Sequence, residues 1–85
     1  MTLDQFKQEL VKLGYKMENY ENGMILTTYH YKNRSNTISL QIWHSYTNVF
    51  FERKTANGDY EYNQRRVTDF KKALSNILKF ERKIK

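Results

Sequence analysis

Eighty-five residues are enough for a single domain over 1–85 with one shared core, and too few for a second. The absence of cysteine excludes disulfides and thiolate metal sites, and no apolar run approaches the roughly 20 residues that span a bilayer. The formal net charge of +6 points towards an acidic partner, and 39% apolar with 15% aromatic residues means that large rings, Leu and Ile must build the core.

The first segment reads as a helix. Thr2 and Gln5 form a capping box, Met1 and Phe6 occupy the positions of a hydrophobic staple, and Leu3, Phe6, Leu10 and Leu13 recur at helical spacing with Val11 widening the stripe. Gly14 supplies the left-handed stop. Alternating, β-rich stretches follow, and they predict strands near 15–21, 24–32, 37–44, 48–56 and 59–63. Asn22-Gly23 and Asn57-Gly58 are the dipeptides that two-residue type I′ hairpin turns demand. A turn at Asn57-Gly58 would set Lys54 opposite Glu61, an attractive cross-strand pair. The last segment predicts a second helix from about 65 to 83, capped by Thr68 or entered from Asn63, with Val67, Phe70, Leu74, Ile77 and Leu78 on its apolar stripe and Ala73 and Phe80 beside it.

The expected fold class is therefore α+β: an N-terminal helix, an antiparallel four- to five-strand meander and a C-terminal helix, with both helices on one sheet face. Alternation in the third strand directs Ile38, Leu40 and Ile42 to the helices. A turn at Asn22-Gly23 would put Met17, Leu26 and Thr28 on that same side and leave Tyr20, Ile25, Tyr29, Tyr31, Trp43 and Phe50 on the open face. The loop at Asn33-Arg34-Ser35 governs this assignment, because a change of one residue in its length swaps the faces of the second strand.

Charge is unevenly distributed. Residues 1–64 hold seven Lys/Arg and seven Asp/Glu, whereas the last 21 hold eight Lys/Arg against Asp69 and Glu81, so the entire excess lies on the final segment. On a helix, Lys72, Asn76, Lys79 and Lys83 share one polar face. With Arg65, Arg66 and Arg82 they form a candidate track for a phosphate backbone, Asn76 and Gln64 being placed to contact bases or sugars. The aromatic residues Tyr20, Tyr29, Tyr31, Trp43 and Phe50 form a candidate protein interface. Base stacking there is disfavoured by an acidic balance of Lys16 and Lys54 against Glu18, Glu52 and Glu61.

Catalytic patterns are lacking. His30 and His44 stand without cysteine or a carboxylate at ligand spacing, so no metal is expected. No Gly-x-Ser-x-Gly elbow occurs, no third partner is evident for a Ser–His pair, and Gly23 and Gly58 stand alone rather than in a phosphate-cradling loop. Glu52, Glu61 and Glu18 could adjoin on the sheet, where solvation and Lys54 favour a surface role. The helix–meander–helix order is similar in outline to double-stranded-RNA-binding domains and frataxin-like folds. However, Gln64-Arg65-Arg66-Val67-Thr68 stands where the first family has a segment rich in glycine and lysine, and the second family's acidic ridge is missing.

These features lead to an expectation of a non-catalytic, cofactor-free module that engages nucleic acid or a nucleoprotein through its C-terminal helix. The alternative is a small inhibitor or adaptor that blocks a host protein through the aromatic face, in the manner of anti-CRISPR proteins. The abundance of Lys, Asn, Tyr and Ile fits an AT-rich phage or mobile element. A homodimer through the open face is compatible with either reading. The opening residues lack the basic-then-apolar order of a secretory signal, so the expected location is cytoplasmic, with no membrane contact.

Overall fold

A computed structural model describes residues 1–83. Its elements run α1 (Leu3–Lys12), β1 (Lys16–Asn22), β2 (Leu26–Asn33), β3 (Asn36–Trp43), β4 (Thr47–Thr55), β5 (Gly58–Gln64) and α2 (Phe70–Lys83). The five strands form one antiparallel sheet in the order β1-β2-β3-β4-β5, the meander anticipated from sequence.

Both ends of α1 are closed by local chemistry. The Thr2 N–H donates to Gln5 Oε1 at 2.8 Å and the Gln5 N–H to Thr2 Oγ1 at 3.2 Å, completing the capping box. At the other end, Gly14 N–H donates to the Val11 carbonyl and Tyr15 N–H to the Leu10 carbonyl, both at 3.0 Å. This is a Schellman stop, and Gly14 permits it with φ 100°. The buried stripe of α1 is narrower than its sequence suggests: Phe6 and Leu10 are fully covered, while Val11 and Leu13 remain exposed.

The core lies between the helices and one sheet face. Its cross-strand rows are Tyr31, Ile38, Phe51 and Tyr62, then Tyr29, Leu40, Val49 and Gln64. Phe6 and Leu10 of α1 and Ala73 and Ile77 of α2 close over these rows. Phe6 meets Phe70 at 5.3 Å between ring centroids, and Phe80 sits 5.0 Å from both Tyr60 and Tyr62. At one margin β1 is exposed along its whole length and carries a register break between Met17 and Asn19, a twist that makes an open edge a poorer template for further pairing.

Four expectations need correction. First, β2 takes the opposite face. Asn33 pairs with Asn36 across a two-residue turn, Arg34-Ser35, which Arg34 makes possible by adopting φ 57°. Tyr31 then falls beside Ile38 and Tyr29 beside Leu40, under the helices, whereas Leu26 and Thr28 move to the open side. Tyr20 pairs with Tyr29 and follows it.

Second, Asn22-Gly23 makes a longer connection. Asn22 lies opposite Thr27, Gly23 has no positive φ, and its N–H donates to the Leu26 carbonyl at 2.9 Å. Ile25 is thereby carried to the loop rather than to a sheet face. Third, Thr55 pairs with Gly58, so Ala56 and Asn57 are the turn residues and only Gly58 has a positive φ, 136°. Glu61 faces Glu52 instead of Lys54, and Lys54 faces Asp59.

Fourth, α2 starts at Phe70. Asp69, rather than Thr68 or Asn63, accepts from the Lys72 N–H at 3.2 Å. Val67 belongs to the connection before the helix, although it is still buried and its N–H donates to the Thr47 carbonyl at 2.7 Å.

Candidate functional site

Burial of Phe70, Ala73, Leu74 and Ile77 against the sheet fixes the rotation of α2 and turns Lys71, Lys72, Ser75, Lys79 and Arg82 to solvent. From Lys71 to Arg82 this ridge runs about 16 Å along the helix axis. Neither acid of the segment lies on it. Asp69 is held at the helix start by the Lys72 N–H, and Glu81 turns inward to accept from the buried Tyr15 hydroxyl. The ridge thus presents four cationic side chains with no acid between them.

The other residues proposed from sequence are distributed differently. Arg65 and Arg66 are exposed on the connection before α2, at the opposite end from Arg82. Arg66 adopts φ 54°, and its guanidinium lies 5.8 Å from the Tyr46 ring centroid. Tyr46 stacks on Trp43 at 5.8 Å and 19°, so Trp43, Tyr46 and Arg66 form one short column. Sequence reasoning missed Tyr46; the only signal was its spacing from Trp43 across a turn, which the Trp43 N–H closes on the Tyr46 carbonyl at 2.8 Å. Asn76 does not join the ridge. Its amide donates to the Tyr62 hydroxyl at 3.3 Å, and that hydroxyl donates to Gln64, so both amides are engaged at β5. The backbone of Lys83 closes α2, and its side chain lies outside the described residues.

The five candidate interface rings do not share a face. Tyr31 is 5% exposed, and Tyr29 is half-buried with Lys7 Nζ 3.8 Å above its ring centroid. Tyr20 packs on Tyr29 at 4.9 Å at the margin of the helix side. Only Trp43 and Phe50 remain on the open face. They stand among Thr28, Ser39, Gln41 and Asn48, where the Asn48 amide donates to Gln41 Oε1 at 2.8 Å. The apolar exposure has moved to the β1–β2 loop, where Met24 is fully exposed and Ile25 is 70% exposed.

One arrangement on the open face resembles a catalytic row. His30 Nδ1 lies 3.1 Å from Ser39 Oγ, and His30 Nε2 lies 3.9 Å from Glu21 Oε2, supplying the third partner that was not evident in the sequence. Ser39 nevertheless occupies the middle of β3, a strand paired on both sides. Its neighbouring N–H groups are directed along the ladder, and no oxyanion hole is formed. Among the described residues no group of three or more His, Asp or Glu side chains is placed to hold a metal ion. Among the described residues no helix is long and apolar enough to cross a membrane.

A second polar group lies at the far end of the sheet. The Tyr15 hydroxyl donates to Glu81 and accepts from Asn36 Nδ2 at 3.3 Å, while Asn36 Oδ1 accepts from Arg53 Nε. Burial raises the Tyr15 pKa well above the ordinary range, with Glu81 acting in the same direction. Burial likewise raises that of Tyr31, with the neighbouring Tyr29 adding to it.

Comparisons with models of protein families, with curated proteins and with solved structures find no match to this chain.

Proposed function

We propose that this chain is a non-catalytic binding module that engages nucleic acid, or a nucleoprotein, through the exposed ridge of α2, in the cytoplasm and without a cofactor. The observation that supports this most is the separation of charge along the last segment. Its two acids serve the helix start and the Tyr15 hydroxyl, while Lys71, Lys72, Lys79 and Arg82 face solvent together. A row of this kind suits the evenly spaced phosphates of a nucleic acid and reads no sequence by itself. Arg65 and Arg66 extend the positive region past the helix start, and the Trp43–Tyr46 column beside them offers a surface for stacking.

The direct test is the triple charge reversal Lys71→Glu, Lys72→Glu and Lys79→Glu. All three side chains are exposed, so the fold should survive, as circular dichroism would show, while affinity for duplex DNA and for RNA should be lost. Undiminished binding would place the interface elsewhere.

A second reading, an inhibitor of phage or mobile-element type acting on a host protein, is favoured by one observation. Met24 and Ile25 project from the β1–β2 loop, and that loop shares a shallow pocket with Trp43. Capture of a partner from a native lysate should be abolished by nuclease under the first reading. Under the second it should survive nuclease and be lost with Ile25→Ser.

A further inference from the structure

The C-terminal ends of α1 and α2 and the β2–β3 turn border an open cleft of about 720 Å³, within the volume range of small-ligand sites. Arg34 reaches it from the turn, Arg53 from β4 and Arg82 from α2, with Glu81 as the one acid among the described lining residues. Among those residues, three guanidinium groups against one carboxylate leave an excess of two positive charges. Arg53 is the informative member. It is half-buried, and its Nε is fixed by Asn36, which is itself held by Tyr15. Among the described residues the one Lys/Arg–carboxylate ion pair is Lys12–Glu9, and none of the described carboxylates lies within ion-pair distance of Arg53. A half-buried cation held in place by neutral partners lacks the compensation that such charges ordinarily require. Arg82 completes the last turn of α2, but Arg53 is carried by a strand and oriented by an amide.

We propose that this cleft is a phosphate-binding site in which Arg34, Arg53 and Arg82 hold the oxygens of a phosphate group, either on a small phosphorylated compound or at the end of a nucleic-acid strand. A phosphate monoester carries about −1.5 to −2 charges at pH 7 and three strong acceptor oxygens, which match both the excess charge and the number of forks. A carboxylate offers one charge and two oxygens, and would leave part of the site uncompensated. The cleft shares Arg82 with the exposed ridge of α2 but takes Arg34 and Arg53 from outside it, so changes at those two residues test this assignment independently of that ridge.

The test is an NMR titration of the full chain with inorganic phosphate, against sodium chloride at matched ionic strength. It is then repeated with one oligonucleotide bearing either a 5′-phosphate or a 5′-hydroxyl. Saturating shifts at the amides of Gly14, Ser35 and Asn36 are expected with phosphate and not with chloride. Tighter binding of the 5′-phosphorylated strand than of inorganic phosphate, with the same amides responding, would identify the source as a strand end. Equal or weaker binding would identify a small compound. Arg34→Gly relieves the φ of 57°, so it should keep the fold while weakening phosphate binding by about tenfold, the loss of one charge-assisted contact. Arg53→Gln should weaken binding at least as much. The proposal is overturned if no phosphate compound shifts these amides in a saturable way, or if Arg34→Gly remains folded with unchanged affinity. Oligonucleotide binding that perturbs only the amides of Lys71 to Lys79, with inorganic phosphate still shifting those of Gly14, Ser35 and Asn36, would assign the cleft to a small compound and the ridge to the strand.

Discussion

Tyr15→Phe removes one oxygen from a chain of four side chains. The ring is 1% exposed and keeps its packing, so the loss is confined to hydrogen bonding. Glu81 loses the hydroxyl that turns it inward, and Asn36 Nδ2 loses its acceptor in a site where Asn36 is 6% exposed. Stranding a buried donor costs about 1–3 kcal/mol, and at 4–8 °C per kcal/mol for a domain of this size a loss of about 2 kcal/mol lowers the Tm by roughly 8–16 °C. The pH dependence has a definite sign. The folded state holds the Tyr15 proton more tightly than the unfolded chain, because burial and Glu81 both raise its pKa. The associated stability is fully present below the unfolded value of about 10 and declines as the pH rises above it, by up to about 1.4 kcal/mol per pH unit. Thermal unfolding followed by circular dichroism from pH 7 to 11 should therefore show a lower Tm for the variant at neutral pH and a shallower alkaline decline. The smaller decline that remains is expected from Tyr31, whose pKa is raised in the same direction. A variant as stable as the parent, with an identical alkaline profile, would refute the buried network.

Three further substitutions test the fold by their effect on the urea midpoint. Glu61→Lys should stabilise by about 0.5 kcal/mol, because Glu61 lies opposite Glu52; had Glu61 faced Lys54, the same change would destabilise, so the sign reports the register. Gly58→Val should cost about 1–2 kcal/mol, since Gly58 has φ 136° although a Cβ there would meet no neighbouring atom within 4 Å. Asp69→Ala should cost about 1 kcal/mol by freeing the first turn of α2, and a neutral result would return the cap to another residue.

The legible parts of the fold are those that local chemistry determines. Thr2, Gln5 and Gly14 specify the two ends of α1 within one turn of chain, and Ile38, Leu40 and Ile42 specify the face of β3 by alternation alone. The parity of β2 was not legible, because it depends on the length of the turn at Arg34-Ser35. Arginine is a poor advertisement for a positive φ, and nothing nearby marks the position. The same limit moved the partner of Glu61 by two residues, from Lys54 to Glu52, since Asn57-Gly58 signals a hairpin without saying which of its residues lie inside the turn. In the candidate site, charge and helical spacing anticipated the exposure of Lys72, Lys79 and Arg82 but missed Lys71. The engagement of Asn76 could not be read, because it depends on where α2 passes β5. The cleft was invisible for a simpler reason: Arg34, Arg53 and Arg82 are remote in sequence and meet only when the β2–β3 turn, β4 and the end of α2 converge.

The central claim is that α2 offers phosphates a continuous cationic ridge, and the salt dependence of binding tests it most directly. Affinity for a short duplex DNA, measured by fluorescence anisotropy at several sodium chloride concentrations, should fall linearly on a double-logarithmic plot. Four neutralised phosphates, one each for Lys71, Lys72, Lys79 and Arg82, predict a slope of roughly −3.5, and Lys79→Glu should make it shallower by about one. No detectable binding to DNA or RNA at low salt, or a slope unmoved by Lys79→Glu, would contradict the account.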